Sequence, residues 1–208
     1  TIYVEGNTFY SGKDGLANIY LGTPAAGQPW NSYVIRNNVF YKTSGAVGGF
    51  FHVTNVNFQQ SRTISDNNHY YWEGKSTTDD TFTLFQGNSV ILDTSFQEWQ
   101  GYGFDTNSQW SDPLFVNGPA YDFHLTSSSP AIDTGISIPS LFQDYDRAPR
   151  PQGAGWDKGA FEYPSGGGGS CPNTICEFWA GENCANCADC TCQSGLTCYN
   201  NACVDCDR

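Results

Sequence analysis

Three stretches near the start of the chain share one pattern of apolar and polar positions. Each stretch has two short runs of β-branched or aromatic residues on either side of a polar corner, at residues 3–10, 34–41 and 64–71. The corner asparagines Asn7, Asn38 and Asn68 recur at nearly equal intervals along the sequence. A regular period of this length is typical of repeat proteins, in which each repeat forms one structural unit.

The residue types in the repeat predict β-strands, because β-branched and aromatic side chains suit a pleated, half-buried surface. Since no amphipathic helix separates the copies, we predict a parallel β-helix, a solenoid in which each coil pairs with the next. Asparagine tolerates the left-handed backbone of a corner, and its stacked amides can form a ladder with a spacing of about 4.8 Å. The predicted ladder contains Asn7, Asn38 and Asn68, and the predicted aromatic stack inside contains Phe9, Phe40 and Tyr70.

Composition narrows the class of protein. The chain has 23 glycines, 15% aromatic residues and 14% charged residues, which is typical of an all-β, turn-rich extracellular protein. The net charge is −12 and there are only nine Lys and Arg residues, so nucleic acid is not expected as a partner. No apolar run approaches the roughly 20 residues of a membrane-spanning helix, so the chain is not expected to span a membrane. We expect a secreted, extracellular or cell-surface protein.

Short motifs after residue 101 extend the prediction to the rest of the first domain. They lie at residues 105–108, 112–117, 122–125, 129–135, 146–151 and 157–162. In this order they resemble a recurrent C-terminal ending of secreted microbial right-handed parallel β-helix proteins, the pectate-lyase-like superfamily. The resemblance implies an all-β, right-handed solenoid over residues 1–164, closed by a C-terminal cap from about residue 101. Such endings occur on lyases, hydrolases and non-catalytic surface proteins, so the resemblance leaves the activity open.

The end of the chain predicts a small disulfide-rich module on a Gly-rich linker. Residues 165–170 read Ser-Gly-Gly-Gly-Gly-Ser, which is typical of a flexible linker. Residues 171–208 are too few to bury a core, so we expect disulfide bonds and no metal or other cofactor. The stretch 181–184, Gly-Glu-Asn-Cys, resembles small Cys-rich modules of microbial secreted proteins.

The number of cysteines in this module is odd, so one thiol is expected to be unpaired or to join another chain. The nine cysteines are Cys171, Cys176, Cys184, Cys187, Cys190, Cys192, Cys198, Cys203 and Cys206. Cys184, Cys187 and Cys190 are evenly and closely spaced, so a zinc site or an iron–sulfur cluster is the alternative to disulfides.

The charged residues form no recognisable catalytic motif, and we predict no catalytic residues. Glu5, Arg36 and Asp66 align on the repeated strand, as a surface charge ladder or, alternatively, as a catalytic arginine between carboxylates. Five aspartates are expected to form turns, with calcium binding or catalysis as the alternative: Asp105, Asp112, Asp133, Asp146 and Asp157. His52, His69 and His124 are scattered, and the alignment of His69 with Thr8 and Val39 predicts that it faces solvent.

Two tryptophans are candidate contacts for a glycan. Trp72 and Trp99 lie near other aromatic residues, and such rings offer stacking platforms for sugars. Packing in the core is the alternative for both residues.

The start of the chain suggests self-association. Thr1 leads directly into a repeated strand, so the first coil would present unpaired backbone groups that a neighbouring subunit could cover. We therefore predict a structural or adhesive protein that self-associates head to tail into a filament, with the Cys-rich module contacting a neighbour. The alternatives are the C-terminal part of a polysaccharide lyase or glycoside hydrolase, and a carbohydrate-binding module without catalysis. In both alternatives the partner is a polysaccharide.

Overall fold

The computed structural model describes residues 1–12, 18–21, 32–54, 62–86 and 89–164, together with two strands near the end of the chain. Those two strands, Leu196–Tyr199 and Ala202–Asp205, pair antiparallel. The predicted linker and the side chains of all nine cysteines lie outside the described residues, so the disulfide-rich module stays a prediction. In the described part of the chain, no helix has the length and apolar character needed to cross a membrane.

Short strands between Ile2 and Trp110 form three sheets. The first sheet consists of parallel strands β1 (Ile2–Glu5), β4 (Tyr33–Arg36) and β7 (Thr63–Asp66). The second consists of parallel strands β2 (Thr8–Ser11), β5 (Val39–Lys42), β8 (His69–Trp72) and β11 (Gln109–Trp110). The third consists of parallel strands β3 (Ile19–Leu21), β6 (Phe51–Thr54) and β9 (Asp80–Gln86), with β10 (Ser89–Ser95) antiparallel to β9.

The left-handed backbone at each corner lies one residue before the ladder asparagine. Gly6, Asn37 and Asn67 have φ angles of 64°, 55° and 56°. Glycine and asparagine are the residues that adopt this conformation most readily, so the preceding residue makes the corner. The following asparagine is thereby left to form side-chain hydrogen bonds with the neighbouring strands.

The prediction of an all-β, right-handed parallel β-helix is wrong. The third sheet is mixed, because the chain reverses after β9 and β10 runs back along it. A helix, α1 (Phe96–Gly101), follows at once, with a capping box between Ser95 and Glu98 that satisfies free amides at its start. The described residues therefore form two parallel sheets, one mixed sheet, two antiparallel strand pairs and one α-helix, and they do not close into a solenoid.

Aromatic side chains fill the space between the three sheets and helix α1. Phe40, Phe51, Tyr70, Phe82 and Trp99 are almost completely buried there. The rings of Phe82 and Trp99 are stacked, with 4.7 Å between their centroids. Burial of such large apolar surfaces is the main favourable term in folding, so this core holds the sheets together.

The cap (residues 102–164) is less regular. It contains one further strand pair, β12 (Phe115–Asn117) and β13 (Asp122–Leu125), joined by a 3-10 turn at Gly118–Ala120. Most of residues 126–164 is held by turns and long-range hydrogen bonds rather than by strands. This part of the chain carries the pocket described below.

A strap formed by residues 158–160 crosses the start of the second sheet. The amide of Ala160 donates to Thr8 Oγ1 at 3.0 Å. Gly159 lies so close to Val39 that an added Cβ would come within 2.9 Å of Val39 Cγ2. The strap therefore covers a sheet face that the repeat alone leaves open.

His69 lies under this strap and is 0% exposed, so the prediction that it faces solvent is wrong. Lys158 Nζ donates to the carbonyl of Asn68 at 3.5 Å, next to His69. The ring nitrogen Nε2 of His69 lies 2.8 Å from the carbonyl of Ser111 and 3.1 Å from the hydroxyl of the same residue. The alternation of side chains along a strand correctly places His69 on the same sheet face as Thr8 and Val39. It does not predict that a segment distant in sequence covers this face.

Candidate functional site

The three ladder asparagines form one hydrogen-bonded column. Asn7 Nδ2 donates to Asn38 Oδ1 at 3.1 Å, and Asn38 Nδ2 donates to Asn68 Oδ1 at 3.0 Å. Asn68 Nδ2 donates in turn to Asp105 Oδ1 at 2.9 Å. Asp105 is completely buried and ends the ladder as an acceptor. These groups satisfy one another, so the column stabilises the fold and offers little to a ligand.

The predicted aromatic stack lies inside the core. Phe9 and Phe40 have ring centroids 4.8 Å apart, and Phe40 and Tyr70 have centroids 4.9 Å apart. Trp72 and Trp99 are buried as well, with 7% and 0% of their surface exposed. Neither tryptophan offers a free ring face to a glycan in this structure.

The aligned charges form one ion pair and not a column of three. Arg36 Nε donates to Glu5 Oε1 at 2.6 Å. Asp66 instead accepts hydrogen bonds from the amide and the side chain of Asn107, both at 2.7 Å. The side chains of Arg36 and Glu5 are 32% and 8% exposed, so this is a partly buried pair that contributes on the order of 1 kcal/mol to stability. The arrangement gives no support to a catalytic arginine.

Three of the five predicted turn aspartates accept hydrogen bonds from backbone amides. Asp112 accepts from the amide of Leu114 at 2.9 Å, and Asp133 accepts from the amide of Gly155 at 2.7 Å. Asp157 accepts from the amide of Asp133 at 2.7 Å. Within the described ranges, no group of three or more His, Cys, Asp or Glu side chains has an arrangement suited to a metal ion.

A pocket of about 370 Å³ opens between β13, the loop around Tyr145 and the end of the strap. It is lined by Asn7, Thr8, Tyr121, Phe123, Tyr145, Ala160 and Phe161. Tyr121 and Tyr145 are 73% and 79% exposed, which is unusual for large aromatic side chains. The pocket therefore presents two tyrosine rings to solvent at the surface of the cap.

The aromatic rings of the pocket meet at steep angles. Tyr121 and Phe123 have ring planes at 81°, and Tyr145 and Phe161 have ring planes at 68° with centroids 5.5 Å apart. Tyr10 of β2 packs against Tyr121 with centroids 5.6 Å apart and so connects the pocket to the second sheet. Such edge-to-face packing fixes the rings as walls of a cavity.

Local backbone structure places Tyr121 at the pocket. Asn117 Oδ1 accepts from the amide of Ala120 at 3.3 Å and closes the 3-10 turn. Tyr121 then has a φ of 63°, a left-handed conformation that is uncommon for a bulky residue. The amide of Tyr121 donates to the carbonyl of Gly118 at 2.9 Å, which holds the residue in this position.

His124 lies next to the pocket, between two carboxylates. Its Nδ1 is 2.6 Å from Asp122 Oδ1 and its Nε2 is 2.7 Å from Asp146 Oδ2. Its ring packs on Phe161 with centroids 4.2 Å apart. Partial burial lowers the pKa of His124, but the hydrogen bonds to Asp146 and Asp122 outweigh it and raise the pKa above its ordinary value.

The pocket residues are not predicted by the sequence patterns above. Tyr121, Phe123, Tyr145 and Phe161 lie far apart along the chain, in an irregular region. The sequence offers one signal for this site, the two aromatic residues on either side of Asp122, and it is weak. Comparison of the chain with known protein families, with characterised proteins and with solved structures found no match.

Proposed function

We propose that this chain is an extracellular adhesive protein that binds carbohydrate through the aromatic pocket of the cap. Binding sites for small molecules are typically concave, mostly apolar and about 300–1,000 Å³ in volume. The pocket volume of about 370 Å³ suits one or two sugar rings. Tyrosine rings stack on the apolar face of a sugar, while their hydroxyl groups hydrogen-bond to it.

The observation that carries this proposal is that Tyr121 and Tyr145 are both highly exposed and both line one cavity. Neighbouring exposed aromatic residues are a costly surface for a monomer and are typical of interaction sites. No carboxylate, imidazole or amine is among the seven residues that line the pocket. Glycoside hydrolysis uses paired carboxylates, so the described residues favour binding over cleavage.

Charge favours a neutral glycan over an acidic one. The chain carries a net charge of −12, and no Lys or Arg lines the pocket. A polymer of uronic acids would meet long-range repulsion without a cationic partner in the pocket. We therefore expect neutral hexose or N-acetylhexosamine oligosaccharides as ligands.

Binding to neutral oligosaccharides, measured by isothermal titration calorimetry after a glycan-array screen, tests this proposal. Tyr145→Ala and Tyr121→Ala should each weaken the affinity about tenfold, since each removes a stacking surface of roughly 1.5 kcal/mol. Phe142→Ala is the matched control, because Phe142 is 67% exposed in the cap but does not line the pocket. Equal losses in all three variants, or no binding to any glycan, would contradict the proposal. Release of shortened or unsaturated products would favour the enzyme alternative.

The unpaired strand edges support a second candidate function, self-association. In the described part of the chain β1, β2 and β3 each have a strand partner on one side only. Exposed Ile2, Tyr3 and Tyr20 lie on two of these strands. Sheet edges with free amides and carbonyls are templates for further pairing. Analytical ultracentrifugation tests this candidate: growth of the sedimentation coefficient with concentration supports it, and a constant monomer contradicts it.

A further inference from the structure

Both ring nitrogens of His124 lie within hydrogen-bonding distance of carboxylate oxygens. The distances are 2.6 Å to Asp122 and 2.7 Å to Asp146. A neutral imidazole has one N–H, whereas an imidazolium has two. Two ionised carboxylates accept hydrogen bonds but donate none, so only the imidazolium makes both contacts at once.

These two contacts join two chain segments that form walls of the pocket. Asp122 lies between Tyr121 and Phe123, whereas Asp146 follows Tyr145 directly in the sequence. The amide of Tyr145 donates to the carbonyl of Ala160 at 2.8 Å, which attaches this second wall to the end of the strap. His124 on β13 is therefore a bridge between the two walls.

The ring of His124 also contacts a residue that lines the pocket. It packs on Phe161, whose ring meets Tyr145 edge to face. The charged groups that face His124 are Asp122 from its own strand and Asp146 from the loop that carries Tyr145. The segment that carries Phe161 faces it with an uncharged ring.

We propose that doubly protonated His124 clamps the two walls of the aromatic pocket, so that the pocket is ordered and binds ligand best at mildly acidic pH. His124 is thus a positioning residue and makes no contact with the ligand itself. The part of this inference that concerns ligand affinity rests on the carbohydrate-binding function proposed above. The clamp itself does not, since it is a property of the free protein.

The direction of the pH effect follows from the charge states. The pKa of His124 is raised by its two carboxylate partners despite partial burial, and the pKa of Asp122 is lowered by its hydrogen bonds from the side chain and amide of His124. The imidazolium state is therefore fully populated below the ordinary histidine pKa near 6.5 and is lost as the pH rises through the raised value. The neutral ring then has one N–H, so it can donate to only one of the two carboxylates, and the contact between the two walls weakens.

Two measurements on the free protein test the clamp. NMR titration should give His124 a pKa above 6.5 in the wild type and a lower one in Asp146→Asn. Hydrogen exchange at the Tyr145 amide, corrected for its intrinsic pH dependence, should show about fivefold less protection at pH 8.5 than at pH 5.5. The Ser129 amide, which donates within its own turn to Thr126, is the internal control. A pKa of 6.5 or less, or unchanged Tyr145 protection, would overturn the clamp.

Ligand affinity over the same pH range tests the consequence. With a neutral oligosaccharide, wild-type affinity should fall about five- to tenfold from pH 5.5 to pH 8.5. His124→Gln, which does not titrate, should bind more weakly with a flat profile, and His52→Gln in the third sheet should keep the wild-type profile. A flat wild-type profile overturns the inference while leaving the binding function intact. Absence of binding at every pH refutes the binding function and the affinity claim, whereas the clamp is still decided by the free protein.

Discussion

The stacked strands and the cap use buried polar groups in different ways. In the stacked strands, called the stack below, the same side chain recurs in successive repeats, so that Asn38 lies between identical partners, Asn7 and Asn68. In the cap a buried ion pair joins Arg150 Nη1 to Glu162 Oε1 at 2.7 Å, with side chains only 2% and 0% exposed. This pair joins two segments of the cap and is not part of a column of repeated side chains.

This difference suggests that the stacked strands mainly stabilise the fold, whereas the cap carries the candidate binding site. Repetition allows neighbouring strands of the stack to satisfy one another, as the side chains of Asn7, Asn38 and Asn68 do. The cap depends on single contacts between segments far apart in sequence, and such contacts also create concave surfaces. The pocket accordingly lies in the cap, where the strap meets β13.

Substitution in the middle of the aromatic stack should give the largest loss in the free energy of unfolding. It tests how far the stacked strands depend on their repeated side chains. Phe40 is 0% exposed and lies between Phe9 and Tyr70. Phe40→Ala should lower the free energy of unfolding by about 3–5 kcal/mol, because it leaves a cavity among packed rings. Phe9→Ala is the matched control at the end of the stack and should cost about half as much, since Phe9 is only partly buried. Urea denaturation measures both, and equal losses would contradict the importance of the central position.

The pH dependence of the free energy of unfolding should give the next largest effect. It tests the burial of His69, a residue of the second sheet that lies under the strap. Burial lowers the pKa of His69 to about 4, with the carbonyl of Ser111 opposing this shift and Lys158 adding to it. Above pH 6.5 the histidine is neutral in both states, so it contributes no pH dependence. Between pH 6.5 and about 4 the unfolded chain takes up a proton at this histidine that the folded chain does not, so the contribution of His69 to the free energy of unfolding falls by about 3 kcal/mol.

Comparison with His69→Gln isolates this effect. Burial raises the pKa of Asp157 to about 7, so that this group has the opposite sign, with stability lost as the pH rises through 7. Asp157 is present in both proteins, so its contribution cancels in the difference. The free-energy difference between wild type and His69→Gln should therefore shrink by about 3 kcal/mol from pH 7 to pH 4. A constant difference would mean that His69 has the same pKa in the folded protein as in the unfolded chain, which would contradict the effect of burial.

The repeat explains why the register of the stack is predictable. Equal spacing and similar residue types place Phe40 beside Phe9 and Tyr70, and the strands pair in that register. The prediction of a continuing solenoid is wrong because nothing in residues 87–101 repeats the corner, and the chain instead reverses into β10 and α1. Local patterns thus predict pairing between similar strands but not the point where a stack ends.

The candidate site is much harder to predict. Residue type favours Trp72 and Trp99 because tryptophan is a strong stacking residue, but the core also needs large rings, and both lie there. Tyr121 and Tyr145 have no periodic pattern, and only long-range contacts of the cap bring them together. Contacts between irregular segments leave no period in a single sequence, so the pocket could not be derived from spacing.

Substitution of the strap glycine should give the smallest of the three effects and tests whether the strap depends on close contact. Gly159 has a φ of 102°, and an added Cβ would lie 2.9 Å from both Thr8 Oγ1 and Val39 Cγ2. Gly159→Ala should therefore cost about 2–3 kcal/mol, from backbone strain together with overpacking. Gly74→Ala is the matched control, because Gly74 has a φ of 77° with nothing within 4 Å of its added Cβ, and should cost about 1 kcal/mol. Thermal and urea unfolding of both variants measures the difference, and equal costs would mean that the strap yields easily to the added methyl group. In that case the strap would be a loose cover, and its close fit over Val39 would contribute little to holding the cap on the stack.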